Sequence, residues 1–162
     1  MKYHIVERDA FQVVGLKNEV SCEESTEAGI PGIQELWREA QQNGTVNRLL
    51  ELDNGEITGL LGMSVDNSKQ KNELVYWVAA EYSGNLPPGL FSLEVPESKW
   101  VNFEVRGQVP EAIIRTWKKI FSEWFPSNSY EHAPAGTPSF EVYTNLDPAS
   151  PDSYSEIWVP IK

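Results

Sequence analysis

The sequence predicts an α+β fold, a pseudo-twofold duplication of strand-helix-strand-strand modules. They form an antiparallel sheet with the helices on one side and a central open groove on the other. Three observations lead there. The order strand, helix, strand, strand can be read twice along the 162 residues. The prolines that open the two helices, Pro31 and Pro110, lie 79 positions apart, and Trp77 and Trp158 in the fourth elements lie 81 apart. Between the two readings stands GNLPPG, Gly84 to Gly89, with two adjacent prolines between glycines. It divides a single domain of residues 1–162 into a first module 1–84, a linker 85–89 and a second module 90–162.

In the first module FQVVGLKNEV, Phe11 to Val20, is rich in β-formers and reads as a strand. After Pro31 the apolar residues Ile33, Leu36, Trp37 and Ala40 recur at helical spacing, and Asn43-Gly44 is the stop signal. EITGLLGMSV, Glu56 to Val65, and ELVYWVAAEY, Glu73 to Tyr82, follow as two strands joined by the polar turn DNSKQKN. In the second module KWVNFEVRG alternates Trp100, Asn102 and Glu104 against Val101, Phe103 and Val105. Pro110 then opens a helix whose stripe is Ile113, Ile114, Trp117, Ile120, Phe121 and Trp124, and Pro126 is expected to end it. SFEVYTNL, Ser139 to Leu146, and YSEIWVPIK, Tyr154 to Lys162, are the last strands, with Asp147 to Ser153 as the turn. Trp37, Trp117 and Trp124 are expected in the core.

Composition narrows the function. Thirteen Lys and Arg face 24 Asp and Glu, a formal net charge of −11, so the average field repels phosphate backbones and anionic lipid surfaces. Direct nucleic-acid and membrane binding are not expected. Cys22 is the single cysteine, which precludes an intrachain disulfide. No signal-peptide run or apolar stretch of membrane-spanning length occurs, and a cytoplasmic location is expected. His4 and His132 are far apart and without acids or cysteine at ligand spacing, so neither a metal nor another cofactor is expected.

The terminal strand carries the functional signal. Ser155, Ile157, Val159 and Ile161 form one face, whereas Tyr154, Glu156, Trp158 and Pro160 form the other. One acid between two aromatic rings suits a groove better than either a solvated surface or a packed interior. Val75, Trp77 and Ala79 of the first module would face the same groove. Trp100 is a further wall, and Glu141 and Tyr143, two residues apart on one strand, offer a hydroxyl and an acid that reads equally as a second groove acid or as the cross-strand partner of a basic side chain.

The order and spacing of "YHIVERDAFQVVGL", "KWVNFEVRG", "WFPSNSY" (Trp124 to Tyr130), "PSFEVYTN" and "EIWVPI" resemble the GyrI-like family, the effector-binding domains of several AraC-type and MerR-type regulators. The resemblance covers essentially the whole chain. It implies two strand-helix-strand-strand modules around a groove, and it implies that the acid of the terminal E-x-x-x-P strand, Glu156, faces a small lipophilic cation. No helix-turn-helix precedes these motifs, so a regulatory role is expected to act through an unidentified protein partner. Two other roles stay open at this point. One is hydrolysis of reactive electrophiles, with Glu156 as general base and Tyr143 or Tyr154 as the orienting hydroxyl. The other is inhibition of a DNA-handling enzyme such as gyrase by an acidic protein surface.

Overall fold

A computed structural model describes residues 1–24, 26, 29–67, 72–128, 132–144 and 150–162. Most of the DNSKQKN turn, Tyr130 and much of the Asp147–Ser153 turn lie outside the described residues. The strands are β1 (Tyr3–Arg8), β2 (Phe11–Ser21), β3 (Leu60–Asp66), β4 (Glu73–Glu81), β5 (Phe91–Val95), β6 (Ser98–Arg106), β7 (Ser139–Tyr143) and β8 (Tyr154–Ile161). The helices are α1 (Pro31–Gln42), α2 (Thr45–Leu52) and α3 (Glu111–Lys119). All eight strands form one antiparallel sheet in the order β1-β6-β8-β7-β3-β4-β2-β5. The order is symmetric about the β7-β3 pair, as the duplication requires. Each half places its leading strand on the other half: β1 pairs with β6, and β5 pairs with β2.

Four elements depart from the sequence expectation. β1 and β5 are short edge strands with charged residues among their exposed positions, so neither gives a clean apolar alternation. Gly44 ends α1 in the left-handed conformation, φ 81°, and the chain turns straight into α2. Pro126 does not end the third helix. α3 passes into a π turn at Ile120–Trp124 and a final α turn at Phe125–Asn128. The wider π turn relieves the crowding that a proline ring imposes on the carbonyl four residues back.

The helices bury their stripes on one face of the sheet, as expected. Leu36, Ala40 and Leu49 pack on Tyr76, Val78 and Ala80 of β4, while Ile113 and Ile120 pack on Val101, Phe103 and Ile157. The opposite face is not an open aromatic wall, and connectivity explains why. Asp9 and Ala10 alone join β1 to β2, which stand six strand intervals apart in the sheet. A flat sheet would separate them by about 29 Å, whereas such a link spans about 11 Å at most. The sheet must therefore curl until its ends meet, and the equally short link from β5 to β6 repeats the constraint. Arg8 on β1 consequently reaches Glu81 on β4, donating from Nη2 to both carboxylate oxygens at 3.2 and 3.0 Å.

This closure fills the concave face with its own side chains. Trp77, Trp100 and Trp158 pack with Phe140, Met63 and Leu61 as core. Trp100 lies 5.1 Å from Phe140 and 6.2 Å from Trp158, centroid to centroid, and Trp158 stacks on Phe140 at 5.4 Å.

Candidate functional site

On β7, Phe140 and Val142 point into the curled interior, so Glu141 and Tyr143 point toward the helices. There Glu141 sits in a cage of aromatic donors. Tyr143 Oη donates to Oε1 at 2.6 Å, Trp117 Nε1 of α3 donates to Oε2 at 2.8 Å, and Tyr76 Oη of β4 donates to Oε1 at 3.3 Å. Trp37 of α1 completes the ring. Its Nε1 donates to Tyr76 Oη at 3.0 Å, and its indole stands edge-on to Tyr143 at 5.2 Å. Gly62, directly opposite Glu141 in the β3-β7 register, leaves the room. A Cβ at this position would collide with Tyr76 Oη and approach Glu141 Oε1 to 3.0 Å. Gly62→Ala should therefore displace the Tyr76 hydroxyl from Glu141 and cost about 1–3 kcal/mol, readable by chemical denaturation.

Electrostatics single this carboxylate out. Among the described residues no Lys, Arg or His forms an ion pair with Glu141. Burial pushes its pKa above the ordinary carboxylate range, and the hydrogen bonds from Tyr143, Trp117 and Tyr76 oppose that shift. Burial and the nearby Glu141 carboxylate push the Tyr76 and Tyr143 hydroxyls well above the usual phenol value, so both are neutral donors at physiological pH. Yet Trp37, Trp117, Glu141 and Tyr143 are only half-buried. Trp117 also lines a mainly apolar cavity of about 430 Å³, bounded by Leu74, Phe121, Ser139 and Val159 and reaching Pro134 to Thr137. Phe121 stacks on Trp117 at the rim, 5.9 Å away, and is exposed.

The sequence placed seven side chains in one groove, and the structure separates them. Glu156, Tyr154, Trp158, Trp77 and Trp100 belong to the concave face, whereas Glu141 and Tyr143 face the helices, so no single groove contains all seven. Trp77 and Trp100 are 4% and 1% exposed and serve as packing. Glu156 lies at the rim of the concave face, where Tyr154 Oη donates to Oε2 at 2.7 Å and Trp158 Nε1 donates to Oε1 at 3.0 Å. Conversely, Trp37 and Trp117, expected as core, turn their N–H groups into the cage, and Tyr76 was missed. Its place between Val75 and Trp77 already put it on the other face of β4. The need of a half-buried indole N–H for a partner was the available signal at Trp37 and Trp117. Among the described residues no cluster of His, Cys, Asp and Glu has metal-binding geometry, and no helix is long and apolar enough to cross a membrane.

Residues 1–162 match the GyrI-like small molecule binding domain. The chain belongs to the GyrI-like family. No curated protein matches it in sequence. Solved structures share the family fold along its whole length. SAV2435 bound to tetraphenylphosphonium is 22% identical, with 100% of this chain and 94% of that chain covered and a TM-score of 0.86. A protein of Staphylococcus aureus MU50 described as a candidate transcription regulation protein is 22% identical over 100% and 99%, TM-score 0.84. The integron cassette protein VCH_CASS2 of Vibrio cholerae is 18% identical over 99% and 95%, TM-score 0.70. At these identities the likeness shows the fold, and the site chemistry must come from this chain's own residues.

Proposed function

We propose that this GyrI-like domain captures small lipophilic cations, with Glu141 as the counter-charge and Trp37, Trp117, Tyr76 and Tyr143 as the surrounding rings. The observation that carries the reading is a half-buried carboxylate that accepts from three aromatic side chains, with Trp37 behind Tyr76, and that no cationic side chain among the described residues neutralises. A lipophilic cation supplies what is missing, a positive charge without strong hydration. Each well-placed ring adds about 0.5–2 kcal/mol of cation-π attraction. Trp117 is shared between the cage and an apolar cavity of about 430 Å³, which is where the apolar part of such a molecule would lie. Tetraphenylphosphonium in SAV2435 is a ligand of this chemistry on the same fold. The biological role that fits is sensing or sequestration, with any effect on transcription exerted through a partner.

The test is equilibrium binding of tetraphenylphosphonium and of the neutral triphenylphosphine oxide, followed by tryptophan fluorescence. The cation should bind at least about tenfold more tightly, equivalent to about 1.4 kcal/mol. Equal affinities would show that charge plays no part.

A further inference from the structure

Glu141 leaves a second acid unexplained. Glu156 stands across the sheet from the aromatic cage, at a rim cavity of about 430 Å³ that it shares with Arg8, Asn102, Thr144 and Trp158. Three features of that rim belong together. First, Glu156 and Glu104 are direct cross-strand partners on β8 and β6, a like-charge pairing that destabilises a sheet unless a cation lies between or beside the carboxylates. Lys2, whose side chain is 81% exposed, pairs with Glu104 at 3.4 Å, and Arg106 lies 4.5 Å over the Tyr154 ring, but among the described residues no cation forms an ion pair with Glu156. Second, Asn102 is 2% exposed and lines the cavity, and its Oδ1 has no hydrogen-bond partner among the described residues. A buried amide oxygen without a donor is destabilising, and a bound donor would relieve it. Third, Tyr154 and Trp158 each give Glu156 one hydrogen bond, and a carboxylate has about four acceptor sites, so it can take two more.

Arg8 does not cancel this acceptor-rich character. Its Nη2 is held by Glu81 at 3.0 Å and approached by Glu56 at 3.7 Å, while its Nη1 has no hydrogen-bond partner among the described residues, so the rim holds one cationic donor group facing two carboxylates of its own. Against that one guanidinium the cavity is lined by three carboxylates, Glu7, Glu56 and Glu156, so acceptors and negative charge prevail, with an apolar floor at Val142 and Trp158. That chemistry differs from the cage around Glu141, where the carboxylate is already wrapped by ring donors.

We infer that this rim is a second, separate site, which takes a small hydrophilic amine or guanidine. The ligand's N–H groups bond Asn102 Oδ1 and the free positions of the Glu156 carboxylate, and its charge relieves the repulsion between Glu156 and Glu104. A fully substituted cation such as tetraphenylphosphonium has no N–H to give and does not fit this rim.

Agmatine, which carries an ammonium at one end and a guanidinium at the other, is the probe. Calorimetric titration of the intact protein should show saturable binding with one agmatine per chain, undiminished when tetraphenylphosphonium is present. Glu156→Gln and Asn102→Leu should each weaken it about tenfold or more. Should Asn102→Leu fail to fold, Glu156→Gln on the partly open rim still decides the matter. Absence of saturable binding, an affinity unchanged in Glu156→Gln, or displacement of agmatine by tetraphenylphosphonium would each overturn the inference.

Discussion

Glu141→Gln should raise the melting temperature of the unliganded protein at neutral pH and at the same time weaken tetraphenylphosphonium binding by about 30-fold or more. The two effects have one cause. Burial is the largest influence on Glu141 and lifts its pKa above the unfolded value, so the folded state favours the protonated acid. Stability from this group is therefore fully present below the ordinary carboxylate range. It is lost as pH rises through the folded pKa, and above that the folded protein carries the part of the desolvation penalty that the three hydrogen bonds leave uncompensated. Glutamine carries none; its amide oxygen can still accept from the Tyr143 and Tyr76 hydroxyls, while its NH2 group faces the Trp117 N–H, which loses its acceptor and takes back part of the gain. The gap in melting temperature between variant and wild type should open as pH rises and close at acid pH. Cation binding runs the other way. It requires the ionised form, so wild-type affinity should climb with pH across the same window, while the variant's should stay low and flat. Removing one member of a buried charge pair costs about 2 kcal/mol or more, which is the origin of the 30-fold figure. Thermal melts and titrations over a pH series check both halves.

Arg8→Met should cost about 3–5 kcal/mol of folding stability, and adding Glu81→Leu should restore most of it. Arg8 and Glu81 side chains are each 11% exposed, and the carboxylate also accepts a hydrogen bond from the Ile57 backbone N–H at 3.0 Å. Removing the guanidinium strands a charge among Phe11, Ile57 and the curled sheet. Removing both charges leaves apolar side chains that can pack there. The pair joins β1 to β4 where the two-residue links force the sheet ends together, so denaturant titration of the single and double variants also tests the curled geometry. A double variant as unstable as Arg8→Met would show that the loss comes from packing and not from the unpaired acid.

The duplicated module order was legible because the long strands and both principal helices have unbroken apolar periodicity. The edge strands were not, and with them went the curl. Once β1 and β5 are recognised, the links Asp9-Ala10 and Pro96-Glu97 dictate closure by length alone. The union of the seven side chains in one groove follows from the same omission. Alternation sorts the side chains of a strand into two sets, but it does not say which set meets the helices when both faces are buried. On β8 the aliphatic set, Ile157, Val159 and Ile161, packs under α3. On β7 the apolar set, Phe140 and Val142, faces the interior, and the acid and tyrosine face the helices. Glu141 and Tyr143 were thus rightly read as neighbours on one face, and Glu156 and Trp158 likewise. Their union in a single groove assumed an open concave face that the short links close.

The most direct test of the account is a crystal structure of the protein with tetraphenylphosphonium bound. The phosphonium should lie on the helix face between α1 and α3, within about 6 Å of the Trp37 and Trp117 ring centroids and beside the Glu141 carboxylate. A phosphonium seated on the concave rim against Glu156, with the Glu141 cage unchanged, would contradict it.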